Sequence, residues 1–401
     1  MRDRFRERSS GPRETHLIYF DHNASTPVRP EAAEAIRDAL AELHANPSSM
    51  HREGQRARAA IERARDQVAG LVGARPDEIV FTSGGTEGDH MGLIGAALAL
   101  DPRGRRVAIS AVEHHAVHGA ADLLSRLGFE VEHVLVGPDG AVAPASLDAL
   151  PEDTTVLSVM LANNETGVIQ PVAELARRAR AKGIRVHCDA VQAAGKIPID
   201  FEGLGVDYLV ISAHKLGGPK GVGALVVRRG APFEPLFRGS AHERGRRGGT
   251  ENLPGIVGLG EAAEHAAREL ARENPRLLEL RGRLERGIRA ALPDVVYHGE
   301  TSPRLPNTLN LSVPGARSDH PLMALDARGV AASAGAACAS GAVEPSPVLT
   351  AMGIPRAVAI CALRLSMGRT TTPAEVDAVV AALADGARAA RGAGAAPAAL
   401  S

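Results

Sequence analysis

The sequence predicts an α/β protein built on a mainly parallel sheet, with a second, smaller α/β domain toward the C-terminus. Three observations predict it. From about residue 46 to residue 229, short apolar runs alternate with stretches of helical spacing. Each apolar run closes on small or polar residues, and the helical stretches stop at glycines. After that region comes a long, charged, mostly helical segment, followed by renewed strand-like runs, which marks the join to a second unit.

The elements follow in chain order. The start, MRDRFRERSSGPR, is charged and lacks an apolar signal core, and Asp3 and Glu7 argue against a transit peptide. Residues 1–16 are therefore expected to be a disordered extension. A large domain over 17–262 contains PSSMHREGQRARAAIERARDQVAGLVG, a helix closed by a glycine cap, and then EIVFTSGGTE, a strand entering a turn. RRVAISAVEHH, TTVLSVMLANNE, IRVHCDAVQ and VDYLVISAHK supply further strands. The run from about Gly255 to Ala291 is helical and leads into a small domain over 263–390, where VVYHGE and NTLNLSVPG resume strand character. Residues 391–401 form a low-complexity tail.

Composition narrows the function. With 401 residues and 44% hydrophobic content the chain can bury a sizeable core. Its 46 basic and 47 acidic residues leave a net charge of −1, so no global field draws it to nucleic acid or to a membrane surface. No apolar stretch approaches the roughly 20 residues of a membrane helix. A cytoplasmic protein acting on small molecules is expected. The three cysteines are scattered and form no C-x-x-C pair, which excludes a disulfide framework and a structural zinc site. His115 and His118 form an H-x-x-H with no third ligand nearby, so no metal is expected.

Polar residues stand where the apolar runs end: Thr86, His114, Asn164, Asp189 with Gln192, and Ser212 with His214 and Lys215. Singly each could cap a helix or make a turn. Together, at the C-terminal edge of one parallel sheet, they describe a pocket. TSGGTE places small residues and backbone N–H groups at a helix start, which suits a phosphate. Asp189, closing an apolar strand, calls for a cation such as a protonated ring nitrogen. Lys215 is one of only four lysines among 46 basic residues, and an amine, unlike a guanidinium, can lose its proton and form a Schiff base. Lys220, in the loop GGPKG, is the weaker candidate for that role. The set matches pyridoxal 5'-phosphate better than a nicotinamide, because no G-x-G-x-x-G turn precedes a helix near the N-terminus. Cys338 sits in SAGAACASGAVEPS among small residues without strand or helix periodicity, as a reactive thiol on an open loop would. Cys188 and Cys361 lie in apolar runs and are expected to be inert. GGTEN, after HERGRRGG, suggests a second backbone nest for an anion.

These motifs, with YFDHNASTP, NPSSMHREGQRAR, HCDAVQAAGKIPID, LPNTLNLS and LRLSMGRTTTPAEVD, resemble the cysteine desulfurases of the NifS/IscS type, within the class V aminotransferases of fold type I. The resemblance covers nearly the whole chain. It implies a seven-stranded, mainly parallel sheet in the large domain and a catalytic cysteine loop over about 333–346 in the small one. It also implies that Lys215 binds the cofactor covalently and acts as base at the substrate Cα, that Asp189 pairs with the pyridine nitrogen, and that His114 stacks on the ring and assists proton transfer. Gln192 would bond the ring hydroxyl oxygen. Thr86, the Gly85 backbone, Ser212 and His214 would hold the phosphate, joined by Thr250 from the second subunit of a homodimer. Asn164, which also faces the cofactor, and Arg364 would hold the carboxylate of the substrate L-cysteine. Cys338 would take the sulfur as a persulfide, release L-alanine, and pass the sulfur to an acceptor protein, an iron–sulfur scaffold or another persulfide acceptor. A selenocysteine lyase or another pyridoxal phosphate-dependent aminotransferase or lyase would share much of this set. His90, Cys188 and Ala336 depart from the residues common in the family at those positions.

Overall fold

A computed structural model describes residues 17–240, 242–334 and 344–394. The N-terminal extension over 1–16 and the loop residues Ala336 and Cys338 lie outside the described residues.

The strands are β1 (Ile18–Tyr19), β2 (Ile79–Thr82), β3 (Arg106–Ser110), β4 (Glu130–Val134), β5 (Thr154–Ser158), β6 (Arg185–Asp189), β7 (Tyr208–Ser212), β8 (Gly223–Val227), β9 (Val296–Tyr297), β10 (Thr308–Ser312), β11 (Val330–Ala331) and β12 (Ala362–Ser366). Seven of them form one sheet in the order β2-β8-β7-β6-β5-β3-β4. Only β8 runs against its neighbours, so β2, two places from β7, still points the same way as the parallel strands. The C-terminal ends of β2, β3, β5, β6 and β7 therefore share one edge. The chain reverses its direction of travel across the sheet between β3 and β5, where an open α/β sheet leaves a crevice for ligands.

Burial on both faces explains the unbroken apolar runs. In β7, Leu209 and Ile211 enter the core on one face, while Tyr208 and Val210 enter the core on the other. Helix Gly85–Leu100 lies close on the second face because its glycines permit it: a Cβ on Gly88 would stand 2.6 Å from Val210 Cγ1. The glycine cap expected on the earlier helix is Gly73, left-handed at φ 67°, after Arg52–Val72. β4 and β8, not assigned to particular segments from the sequence, complete the seven strands that the resemblance implies.

A second core gathers around β10, which pairs antiparallel with β9 and β12. Leu309, Leu311, Leu363 and Leu365 from these strands pack with Val376, Val379 and Leu383 of helix Pro373–Gly394. That helix continues past residue 390, where the tail was expected to start. Helix Leu253–Ala291 serves both cores, with Leu253, Ile256 and Leu259 in the first and Leu277, Leu280, Leu284 and Ile288 in the second. The boundary expected at residue 262 thus falls inside one continuous helix. β1 pairs with β11 and Phe20 enters the second core, so the chain then runs from this core directly to the edge of the large sheet. Among the described residues no helix is long and apolar enough to cross a membrane.

Candidate active site

At that edge lies a cavity of about 330 Å³, lined by Gly85, Thr86, His114, Asn164, Asp189, Gln192, Ser212, His214, Lys215 and Arg364. Every candidate from the sequence is thus brought together except Thr250 and Cys338. Thr250 is exposed and lines a separate hollow with Thr82, Ser83 and Gly221. Cys338 is outside the described residues, but Ser333 and Ser346, on either side of it in the chain, are both anchored at the cavity. Ser333 lines the cavity and exchanges backbone hydrogen bonds with Arg364 (2.7 and 3.3 Å), while Ser346 Oγ donates to Glu165, another lining residue, at 2.6 Å.

The chemistry of each group follows from its surroundings. The Lys215 amine donates to the backbone carbonyls of Asn23 and, at 2.9 Å, of Ala24. Burial lowers its pKa to about 8, reinforced by the Arg364 charge and opposed by Asp189 and Asp21. Two N–H donors are all that a neutral amine has, and both are used here. Asp189 closes β6 and accepts from Val191 N–H at 2.8 Å. Burial raises its pKa while His114 and Lys215 lower it, so the carboxylate is stabilised by positive charge brought into the cavity. His114 is the N-cap of helix His115–Arg126, its Nδ1 accepting from Ala116 N–H at 3.1 Å. Burial lowers its pKa, and the neutral ring then carries its proton on Nε2.

Gly85 and Thr86 open helix Gly85–Leu100, whose first N–H groups have no intrahelical partner. The helix start sits over the end of β8, where a Cβ on Gly223 would come within 2.9 Å of Gly84 Cα, so glycine is needed there. Ser83 N–H donates to Glu87 at 2.9 Å and ties the turn. His214 is held by Thr26, whose N–H and hydroxyl both donate to its carbonyl at 2.9 Å. Arg364 comes from β12 of the second core. Its guanidinium donates to the Asn164 carbonyl (3.0 Å) and to Asp21 (2.8 Å), and its buried Nε has no partner among the described residues. A buried donor without an acceptor is costly, and a substrate carboxylate would satisfy it.

Several groups at the site were not singled out from sequence. Asn23 is a junction: its side chain donates to Thr308 (2.9 Å) and to the Asn164 carbonyl (3.2 Å), and its backbone carbonyl accepts from Lys215 and from Gln192 (3.0 Å). Asp89 lies beneath, its carboxylate within 4.8 Å of the Asp189 oxygen and the His114 nitrogen and 3.6 Å from His187 Nε2. Burial, then the charges of Asp189 and Glu113, push Asp89 well above the usual carboxylate range, which keeps it neutral. The position of YFDHNASTP in the chain gives no sign that Asn23 lies beside Lys215; that contact is purely tertiary. Of the departures from the family pattern, His90 points its Nδ1 to the Thr86 carbonyl at 2.9 Å within the same helix. Cys188 and Cys361 are buried, and burial raises both thiol pKa values.

The chain belongs to the class-V aminotransferase family, whose model matches residues 18–379. It resembles a cysteine desulfurase IscS of Dictyoglomus turgidum at 44% identity, over 90% of this chain and 92% of the relative. A solved structure described as a NifS-like protein superposes with a TM-score of 0.86 at 38% identity, covering 92% of this chain and 98% of that one. Another, SspA in complex with cysteine, gives a TM-score of 0.75 at 32% identity, covering 87% and 98% respectively. Within the family the chain is a cysteine desulfurase of the IscS type.

Members of this family depend on pyridoxal phosphate, and the site fits that group. A helix N-terminus offers unpaired N–H groups for a dianion. The buried Asp189 carboxyl, which positive charge stabilises as the anion, suits a protonated ring nitrogen, and a lysine amine of lowered pKa faces the same cavity.

Proposed function

We propose that the protein removes the sulfur of L-cysteine, with pyridoxal 5'-phosphate as resident cofactor, L-alanine as carbon product and a persulfide on Cys338 as sulfur product. The observation that carries this reading is the convergence, in one cavity, of the Lys215 amine, the Asp189 acid, the helix start at Gly85 and the Arg364 guanidinium.

Gly85, Thr86, Ser212 and His214 would hold the phosphate, Asp189 the ring nitrogen, Gln192 the ring oxygen and Lys215 the carbonyl carbon. When bound, the cofactor supplies an electron sink for the negative charge left at the substrate Cα. Arg364 and Asn164 orient the substrate through its carboxylate, so that its Cα proton faces the Lys215 amine. A neutral Lys215 can take that proton and return it, and His114 Nε2–H assists transfer on the open side. The Cys338 thiolate attacks the substrate sulfur: an S–S bond forms, the C–S bond breaks, and its electron pair stays with the carbon, which takes up a proton. Cys338 follows Ser333 by five residues, and an extended chain of that length reaches about 18 Å at most. With Ser333 at the cavity wall, that reach includes the substrate.

The acceptor is a second protein, an iron–sulfur scaffold or another persulfide carrier. The working unit is a homodimer in which Thr250 completes the phosphate site of the partner subunit.

Incubating cofactor-loaded protein with L-cysteine should add one sulfur atom to the peptide containing Cys338 and release alanine. Cys338→Ser should keep the cofactor absorbance and lose both products, and Lys215→Ala should lose that absorbance. Alanine formed at wild-type rate by Cys338→Ser would overturn the assignment.

A further inference from the structure

Lys196 is buried, 7% exposed, behind Gln192 and away from the cavity. Its amine lies 2.7 Å from Gln192 Oε1 and 3.1 Å from Asn23 Oδ1. Both of its contacts are to oxygens that accept, so the Gln192 amide faces it with its oxygen and not with its NH₂. Turned the other way, the amide would set its oxygen against the Asn23 carbonyl and leave one Lys196 N–H without an acceptor. The NH₂ end then gives one hydrogen to the Asn23 carbonyl at 3.0 Å and has its second for the cavity that Gln192 lines. Asn23 is oriented by the same logic, since its Oδ1 also accepts from Asn307 Nδ2 at 3.1 Å.

We propose that Lys196 is a positioning residue that fixes the polarity of Gln192, so that an N–H and not a carbonyl oxygen meets the ring oxygen of the bound cofactor. The inference rests on the cofactor assignment above. Burial, with the Lys215 and Arg364 charges nearby, pushes the Lys196 amine well below its ordinary range. A neutral amine carries two N–H groups, one for each of its two acceptors, so the network is satisfied without a buried charge.

The readout is the pH midpoint of the visible absorbance of the cofactor-loaded enzyme. An N–H on the ring oxygen withdraws electron density from it and weakens its hold on the proton of the neighbouring nitrogen contributed by Lys215. Losing that N–H raises the midpoint. Lys196→Met, which keeps the stem and removes the donors, should raise it by roughly half to one pH unit, the worth of one hydrogen bond. Gln192→Leu should raise it comparably, and the double variant should add nothing further. Gln192→Glu, which keeps an acceptor for Lys196 but has no N–H for the ring oxygen, should also raise the midpoint and serves if Lys196→Met fails to fold. A lowered melting temperature with an unchanged midpoint in Lys196→Met, or an unchanged midpoint in Gln192→Glu, would overturn the inference while leaving the cofactor assignment intact. A wild-type protein that acquires no such absorbance from pyridoxal phosphate would overturn both.

Discussion

At the scale of single residues, two of the four lysines converge on one asparagine. Lys215 donates to the Asn23 backbone and Lys196 to its side chain, and burial depresses both amines. For Lys215 this has a kinetic consequence. Only the neutral amine can attack the cofactor aldehyde, and a folded-state pKa of about 8, below the ordinary 10.5, makes half of it neutral near pH 8. The rate of cofactor capture by the apoenzyme should therefore rise with pH and level off above about 8, as followed by stopped-flow absorbance. A rate still climbing tenfold per pH unit at pH 9 would mean an unperturbed lysine. The scarcity of lysine in the sequence, together with its place at a strand end, made Lys215 legible. Lys196 was not, because GKIPID carries no periodicity and its partners come from distant parts of the chain. Asp89 was hidden in another way: it sits on a helix, and its neutrality depends on Asp189 and Glu113, which neighbour it only in three dimensions.

At the scale of elements, the strand ends were readable because each buried strand is an apolar run cut off where the sheet edge meets the cavity. Register and strand direction were less readable: β8, the antiparallel member, has the same apolar content as its parallel neighbours. Helix contacts depend on small residues that look like weak points in a sequence. Gly260, about two turns into the helix Leu253–Ala291, faces helix Arg52–Val72, and a Cβ there would come within 2.7 Å of Ala64 Cα. Intrinsic propensity says that Gly260→Ala should stabilise the helix by about 1 kcal/mol. Contact with backbone says the opposite, since overpacking costs roughly 1–3 kcal/mol and a Cα atom cannot rotate away. The second effect wins: Gly260→Ala should lower the urea midpoint, with an unchanged m-value if the fold is kept. An increase in stability would show that the two helices separate without loss. One buried ion pair and one half-buried pair hold another element in place. Glu243 accepts two hydrogen bonds from Arg65 (2.8 and 3.0 Å), and Glu87 accepts from Arg247 at 2.9 Å. They tie the segment that carries Thr250 to helices Arg52–Val72 and Gly85–Leu100, even though Glu243 and Arg244 both take left-handed backbone at φ 46° and 56°.

At the scale of the whole molecule, the cavity draws on both cores. Asp189, Lys215 and the helix start at Gly85 come from the large sheet, while Arg364 comes from the smaller one. Helix Leu253–Ala291 couples the two, as its residues enter both cores. The site is nevertheless incomplete within one chain if Thr250 serves a phosphate, because Thr250 is exposed and lines a different hollow from Gly85 and Thr86. A test follows from the geometry of exchange. Chains carrying Lys215→Ala lack the amine, and chains carrying Thr250→Val lack a phosphate donor. If Thr250 acts across a two-fold axis, a hybrid dimer contains one site with both defects and one site with neither, since the Thr250→Val chain keeps its own Lys215 and receives a wild-type Thr250 from its partner. Mixing the two inactive or impaired homodimers under conditions of subunit exchange should then restore tight cofactor binding and alanine release in that one site. If Thr250 acted within its own chain, each site of the hybrid would keep one defect, and mixing would give only the average of the parents. Recovery beyond that average, appearing at the rate of subunit exchange measured independently with labelled chains, would establish the shared site. Its absence with exchange complete would remove Thr250 from the phosphate-binding set.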